Sequence, residues 1–212
     1  MSVEITIIIP LLNEKESLRP LHDKIQTTMA AYKRSYEVIF VDDGSRDGSA
    51  DVLEELHEAY SEVKVIQFRR NFGKAAAYAV AFERAAGKYV ITMDADLQDE
   101  PAEIPSLIAK IEEGYDLVSG WKKKRLDPLR KVIPSRFFNW VTGFLYGIPI
   151  HDFNCGLKAY RAEVVKDIKI YGELHRYIPV LAHLEGYRIA ELEVQHHRRK
   201  FGVTKYGWTR LL

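Results

Sequence analysis

The feature that most constrains the fold is an alternation, through the first 120 residues, of apolar β-branched runs with segments of helical periodicity. Both faces of these runs are apolar, which predicts buried strands. The predicted strands are Val3–Pro10, Tyr36–Val41, Val63–Phe68, Lys88–Met93 and Tyr115–Ser119. Repeated strand–helix alternation predicts an α/β fold: a Rossmann-like, mainly parallel sheet with helices on both faces and right-handed crossovers. Ligands of such sheets bind beyond the carboxyl ends of the strands.

The segments between these strands predict helices. The first, Ser17 to Tyr32, begins with a serine suited to capping and carries Pro20 in its first turn. The others are a helix with an apolar face of Val52, Leu53 and Leu56, the alanine-rich segment Lys74–Ala86, and a helix from Pro101 to Gly114.

The pattern changes after Gly120, where a basic loop begins. The elements predicted there are an aromatic-rich helix over about Lys131–Tyr146, a strand around Leu157–Tyr160, a helix from about Leu174 to Glu185 that Pro179 kinks or delays, and a strand at Tyr187–Val194. No repeat or linker separates the parts. We therefore expect a single domain over residues 1–212, made of a first half (1–120) and a second (121–212).

The net charge of +1 conceals two basic segments. Trp121 to Arg136 holds seven Lys or Arg against one Asp, and Gln195 to Leu212 holds five bases and no acid. This separation indicates an anionic partner at two places, although two solvated loops without a partner remain an alternative. Nucleic acid is not the expected partner, because aromatic and basic residues scarcely interleave and no nucleic-acid-binding motif is present.

Composition excludes several classes of protein. One cysteine rules out an internal disulfide and fits a reducing compartment. No apolar run approaches the ~20 residues of a transmembrane helix. The start, Met1 to Glu4, places an acid before an apolar run too short for a signal peptide.

The segment Thr92 to Pro101, at the exit of a central strand, is the most informative one. Side chains alternate along a strand, so Asp94 and Asp96 project to the same side, into the expected ligand crevice. Paired carboxylates are costly neighbours unless a cation lies near them. Their oxygens, with the amide oxygen of Gln98, suit Mg2+ or Mn2+ better than zinc. The alternative, an acidic turn that caps the next helix, is preferred for Asp99 and Glu100.

Two further polar loops follow predicted strands. In one, Asp47 is suited to cap the next helix, which leaves Asp42 and Asp43 for hydrogen bonds to a nucleobase edge or to ribose hydroxyls. The other loop is Pro10 to Glu14, at the end of the first strand.

These loops resemble the nucleotide-sugar-binding half of inverting family 2 glycosyltransferases with the GT-A fold. Later segments resemble the branch of that family that glycosylates polyprenyl phosphates, which includes dolichyl-phosphate mannosyltransferases and undecaprenyl-phosphate sugar transferases. The segments that carry the likeness are Pro10–Glu14, Val41–Ser45, Asp94–Asp99, Ser119–Arg125, His151–Lys158 and Lys205–Gly207. The likeness covers nearly the whole chain.

The resemblance implies roles for individual residues. Asp96 and Gln98 would hold the metal, Mg2+ or Mn2+, with Asp94 close to it and to the donor sugar. Asp43 and Asp42 would contact the base and ribose of a UDP- or GDP-sugar, helped by Pro10, Asn13 and Glu14. Lys74 could lie near the donor, or it could be a solvated lysine that opens a helix.

The basic segments take a meaning from the same likeness. The acceptor phosphate of the lipid would be held by Arg125, Arg130, Ser135 and Arg136, because arginine pairs with phosphate through two hydrogen bonds. Lys122 to Lys124 would meet anionic headgroups at the membrane surface. Arg199 and Lys205 lie in a segment comparable to a loop over the donor diphosphate, which in the family leads into membrane-associated helices that are absent from these 212 residues.

Other residues support weaker expectations. Asp152 could orient the nucleophile or cap its own turn. Cys155 is expected to be a small buried hydrophobic residue, and His196 and His197 poor joint ligands because they are adjacent. His175 is expected to be a surface histidine, with a position near the acceptor at a helix start as the alternative.

The function that we expect is transfer of a sugar, with inversion, from a nucleoside diphosphate to a polyprenyl phosphate at the cytoplasmic face of a membrane, with Asp94, Asp96, Asp152 and Arg125 as the catalytic group. The alternatives are a GT-A transferase that uses a saccharide acceptor and a catalytically silent nucleotide-sugar-binding module. The sequence leaves open whether the protein forms a homo-oligomer.

Overall fold

The computed structural model describes residues 3–123, 139, 141–198 and 201 of the chain. Its strands are β1 (Ile5–Leu11), β2 (Tyr36–Asp42), β3 (Val63–Gln67), β4 (Tyr89–Thr92), β5 (Leu117–Trp121), β6 (Lys158–Arg161) and β7 (Ile189–Glu193). Its α-helices are α1 (Lys15–Tyr32), α2 (Ser49–Ala59), α3 (Lys74–Arg84), α4 (Ile104–Glu112), α5 (Ala162–Asp167) and α6 (Ile178–Leu184). Two 3-10 turns, Pro101–Glu103 and Leu174–Tyr177, precede α4 and α6, and residues 141–146 are also helical.

The seven strands form one sheet in the order β3-β2-β1-β4-β6-β5-β7. Neighbours pair in parallel except β6, which is antiparallel to both β4 and β5. The predicted α/β fold with a mainly parallel sheet is therefore confirmed. The carboxyl ends of β1, β2 and β4 lie side by side at one edge, which we call the site edge.

The core has two layers, one on each face of the sheet. Along β1, Ile7 and Ile9 pack with α1, α2 and α4, while Ile8 packs on the opposite face with α3, α5 and α6. This alternation explains why β1 is apolar at every position. The prediction of burial on both faces is wrong for β3, because that strand lies at the sheet edge and exposes Lys64 and Gln67.

The predicted start of the first helix is also wrong. Helix α1 begins at Lys15, and Ser17 is a buried residue of its first turn whose hydroxyl donates to the Glu14 carbonyl at 2.8 Å. Pro20 consequently lies inside the helix. Among the described residues, no helix combines the length and the apolar character needed to cross a bilayer.

Candidate functional site

The loops after β1 and β2 hold each other at the site edge. Asn13, in the left-handed region with φ 52°, accepts from the Arg46 amide at 2.7 Å and donates its own amide to the Ser45 hydroxyl at 2.7 Å. The amide of Glu14 donates to Ser49 Oγ at 3.1 Å. Pro10 is buried within β1, opposite Val41 in the register. Pro10, Asn13 and Glu14 thus lie at the site edge, and their contact with a donor stays a prediction.

The two carboxylates at the end of β2 are buried and tie loops together. Asp42 accepts from the Ser45 amide at 2.9 Å, and its second oxygen has no hydrogen-bond partner among the described residues. Asp43 accepts from the amides of Phe72 at 2.6 Å and Gly73 at 3.0 Å, which anchors the segment before α3. Their contact with a base or ribose stays a prediction.

A cavity of about 510 Å3 opens beside these loops, lined by Asn13, Ser45, Phe68 and Arg70 among others. Gly44 is one of the residues that line this cavity. It has φ 80°, and a Cβ at this position would lie 2.6 Å from the Arg70 carbonyl carbon. Only glycine tolerates both the positive φ and this close approach.

Asp94 lies on the loop after β4 and forms an ion pair with Lys74, the first residue of α3. The solvated alternative for Lys74 is therefore wrong. Gly156 packs directly on the Asp94 carboxylate, since a Cβ there would lie 2.6 Å from Oδ2. Partial burial alone would raise the pKa of Asp94, but the ammonium groups of Lys74 and Lys122 hold it well below its usual range. Asp94 is thus ionised at neutral pH.

Asp96 and Gln98 come next on this loop, which turns at Leu97 with φ 61°. The Gln98 amide donates to Asp96 Oδ1 at 3.1 Å, so the two residues lie close together. The Gln98 side-chain nitrogen donates to the His197 carbonyl at 3.2 Å, so this contact uses the nitrogen and not the oxygen of the amide.

Glu100 occupies the N-cap position of the 3-10 turn Pro101–Glu103, without a side-chain capping hydrogen bond, and the capping prediction is wrong for Asp99. Asp99 is fully buried, accepts from the Asp94 amide at 3.1 Å and pairs with the Lys122 ammonium at 2.7 Å. Glu100 pairs with Lys24 at 2.6 Å and lies 3.0 Å from His197 Nε2. The expectation that Lys122 meets lipid headgroups is likewise wrong, because its side chain is 11% exposed and occupied by Asp99.

The segment after β7 pairs with the same loop. His196 forms an antiparallel bridge with Asp99, and the His197 amide donates to the Gln98 carbonyl at 3.0 Å. The loop that carries Asp96 is therefore held by Lys122, which follows β5, and by His196 and His197, which follow β7.

A second cavity of about 250 Å3 is lined by Lys74, Asp94, Lys158, His175 and Arg176 among others. Sequence reasoning missed Lys158, which is 4% exposed within β6. The sequence feature that could have indicated its burial is its position between two apolar residues of a predicted short strand. His175 is not the expected surface residue: burial, with Lys74 and Arg176, lowers its pKa to about 3.

Cys155 lines this cavity, and Asp152 precedes it by three residues. Asp152 is 2% exposed and accepts from the Asn154 amide at 3.2 Å, an arrangement that favours the capping role among the two that the sequence left open. Cys155 is buried, and burial raises the pKa of its thiol to about 12, which confirms a small apolar role and excludes a thiolate nucleophile.

Several predicted residues lie outside the described part of the chain. These are Lys124, Arg125, Arg130, Ser135, Arg136, Arg199 and Lys205, with most of the helix predicted over Lys131–Tyr146. The acceptor-phosphate cluster therefore stays a prediction.

The donor set at the Asp96 loop fits a hard divalent cation in its chemistry. Two carboxylates and an amide oxygen belong to Asp94, Asp96 and Gln98, and oxygen donors of this kind suit Mg2+ and Mn2+. Within the described residues, no group of three or more His, Cys, Asp or Glu side chains forms a metal cluster. Any ion here would consequently depend on Gln98 and on ligand oxygens as well as on the carboxylates.

The family model named Glycosyl transferase family 2 matches residues 6–169, which include all the loops of the site edge. The chain belongs to glycosyl transferase family 2. This confirms the family that the sequence motifs indicated. The match spans β1 through α5 and the segment that follows it.

Curated relatives of this family 2 chain match it almost from end to end. Dodecaprenyl-phosphate galacturonate synthase of Rhizobium johnstonii is 38% identical over 214 residues, covering 99% of this chain and 63% of the relative. Undecaprenyl-phosphate 4-deoxy-4-formamido-L-arabinose transferase of Shewanella sediminis is 38% identical over 209 residues, covering 98% and 63%. The chain thus spans less than two thirds of the length of these relatives.

Among solved structures, a mannosyltransferase from Pyrobaculum calidifontis in complex with GDP-Man and Mn2+ superposes with a TM-score of 0.72 at 20% identity. The match covers 100% of this chain and 60% of that one. At this identity the likeness establishes the fold, and the predicted GT-A fold is confirmed.

Proposed function

We propose that this protein transfers a sugar, with inversion, from a nucleoside diphosphate donor to a polyprenyl phosphate. The observation that carries the proposal is the 38% identity, across 99% of the chain, to a dodecaprenyl-phosphate galacturonate synthase. The second relative acts, by its name, on undecaprenyl phosphate. A lipid acceptor would place the reaction at a membrane surface, and we propose its cytoplasmic face.

The donor would lie along the site edge. The cavity beside Asn13 and Ser45 is large enough for a nucleoside, and Asp42 accepts from the amide of Ser45, one of the residues that line it. The sugar would extend towards Asp94, whose negative charge at neutral pH suits a position beside the anomeric carbon, where positive charge develops during transfer.

Asp96 and Gln98 would hold the divalent ion, with Asp94 close by. An ion bound there would neutralise the charge that develops on the departing diphosphate. The solved mannosyltransferase, by its title, binds Mn2+ with GDP-Man, which supports a divalent ion without distinguishing Mg2+ from Mn2+. Asp99 and Lys122 would keep the ligands in place through the Asp94 amide.

The acceptor phosphate would attack the anomeric carbon on the side opposite the diphosphate. The new carbon–oxygen bond forms as the bond to the diphosphate breaks, which inverts the configuration. A phosphate monoester has a second pKa of ~6, so it is largely ionised at neutral pH and needs no strong general base. This agrees with an Asp152 that caps its own turn. Arg125, Arg130, Ser135 and Arg136 remain the proposed phosphate ligands.

The test uses the purified chain with Mn2+ and radiolabelled UDP- and GDP-sugars, offered undecaprenyl phosphate in detergent or a soluble saccharide. Label is expected in the lipid fraction only. Asp96→Ala should lower the rate by about 100- to 1,000-fold, and the exposed control Asp23→Ala should leave it unchanged. Transfer to the saccharide instead would support the alternative acceptor. Donor binding without transfer to either would support a silent binding module.

A further inference from the structure

The cavity of about 250 Å3 beside Asp94 is small and cationic. At roughly 30 Å3 per water molecule it has room for about eight waters, the size of one sugar unit rather than of a nucleotide. Three bases, Lys74, Lys158 and Arg176, line it, and among the described residues Asp94 is the one acid that does. Since Asp94 already pairs with Lys74, the cavity keeps an excess of positive charge.

Lys158 is the base whose charge is least compensated. Its side chain lies within the sheet, with Thr92 opposite in the β4–β6 register, and its ammonium donates to the Cys155 backbone carbonyl. A carbonyl accepts a hydrogen bond but supplies no net charge, and no carboxylate of the described chain forms an ion pair with Lys158. Burial lowers the pKa of the Lys158 ammonium and outweighs the attraction of Asp152 and Asp94, so the charge of Lys158 is only partly compensated.

Two neighbours complete the recognition surface. Nδ1 of His175 is buried and has no hydrogen-bond partner among the described residues. As a neutral imidazole it can donate one hydrogen bond through that nitrogen. Arg176 also lines the cavity, while its charge is shared with the exposed Glu173 at 3.3 Å.

We propose that this cavity receives the donor sugar and that Lys158 and His175 select a sugar that carries a carboxylate, a hexuronate. A neutral hexose would leave the buried ammonium without an ion pair from the described residues, whereas a carboxylate would add a direct counter-charge and accept from both side chains. The inference rests on the proposed function, because it assumes that a nucleotide-sugar occupies the site edge.

The test measures donor affinity by calorimetry in the presence of Mn2+, with two matched pairs: UDP-glucose against UDP-glucuronate, and GDP-mannose against GDP-mannuronate. The acidic member of one pair should bind about 10- to 100-fold more tightly than its neutral partner, as a charged hydrogen-bonding group predicts. Lys158→Met should remove most of that preference. The exposed control Lys166→Met should retain it.

Each other outcome overturns the inference. Equal affinity within both pairs would reject hexuronate selection and leave the proposed function standing, while binding of none of the four donors would reject both. An equal loss of both members of a pair in Lys158→Met would assign Lys158 to the diphosphate instead. The comparison of wild-type affinities needs no variant, so it decides the question even if Lys158→Met does not fold.

Discussion

Replacing Lys122 by methionine should destabilise this protein far more than the same change at Lys123. The Lys122 ammonium lies 2.7 Å from an Asp99 oxygen, with side chains 11% and 0% exposed. Removing one partner of a buried ion pair leaves the other charge uncompensated, which costs about 3–5 kcal/mol. Domains are stable by only about 5–15 kcal/mol, so this is a large fraction of the total.

The neighbouring lysine supplies a matched control. Lys123 pairs with Glu193 at 3.1 Å, but their side chains are 53% and 52% exposed. Water and salt screen such a pair, so Lys123→Met should cost about 1 kcal/mol or less.

The assay is urea unfolding at pH 7 of both single variants, of Asp99→Asn and of Lys122→Met/Asp99→Asn. Burial alone would lower the pKa of Lys122, but Asp99 and Asp94 raise it above its ordinary value, so the Lys122 ammonium stays charged at the pH of the assay. Asparagine keeps an acceptor for the Asp94 amide while removing the charge. The double variant should therefore cost less than the sum of the singles, by about 2 kcal/mol. Additive costs, or equal effects of Lys122→Met and Lys123→Met, would refute the argument.

Three further changes test separate parts of the structure. Burial lowers the pKa of His22 below 6.5, so the free energy of unfolding should fall as the pH drops from 6.5. In His22→Leu this fall should be smaller, by at most about 1.4 kcal/mol per pH unit. Urea unfolding at pH 5 and pH 7 measures the difference. Gly156→Ala should push the Asp94 carboxylate out of place, lowering the transfer rate while thermal melting shows a folded chain; an unchanged rate would contradict the close contact. Gly44→Ala should lower stability by about 1–3 kcal/mol, because φ is 80° and a Cβ would meet the Arg70 backbone, and an unshifted melting temperature would refute this.

The first half of the fold could be predicted from the sequence because its pattern is local. Strands and helices alternate along the chain, and each apolar run shows its burial in its own composition, as β1 does. The antiparallel insertion of β6 between β4 and β5 could not be predicted in this way. That strand has four residues, and its direction is fixed by pairing with segments more than 30 residues away.

The residues of the site likewise divide into those that the local sequence predicts and those that depend on distant contacts. The rule that ligands bind beyond the carboxyl ends of parallel strands predicted that Asp43 and Asp94 lie at this edge of the sheet. The sequence could not tell which charges of the site edge are paired. Lys122 belongs to a basic run that suggested a membrane contact, yet it is the one buried against Asp99. Lys158 carried no predicted role, yet it lines the same cavity as Asp94.

The geometry of the Asp96 loop follows from its surroundings more than from its own sequence. Asp99 is bound to Lys122 on β5's exit, Glu100 to Lys24 on α1, and Gln98 to the backbone of His197. Each of these partners is distant from the loop in the chain. Because the three contacts come from separate elements, displacement of the loop would have to break the buried Asp99–Lys122 pair, which is costly to leave unpaired, together with two partly exposed contacts. The proposed ligands Asp94, Asp96 and Gln98 would therefore be held in place by these contacts before an ion binds.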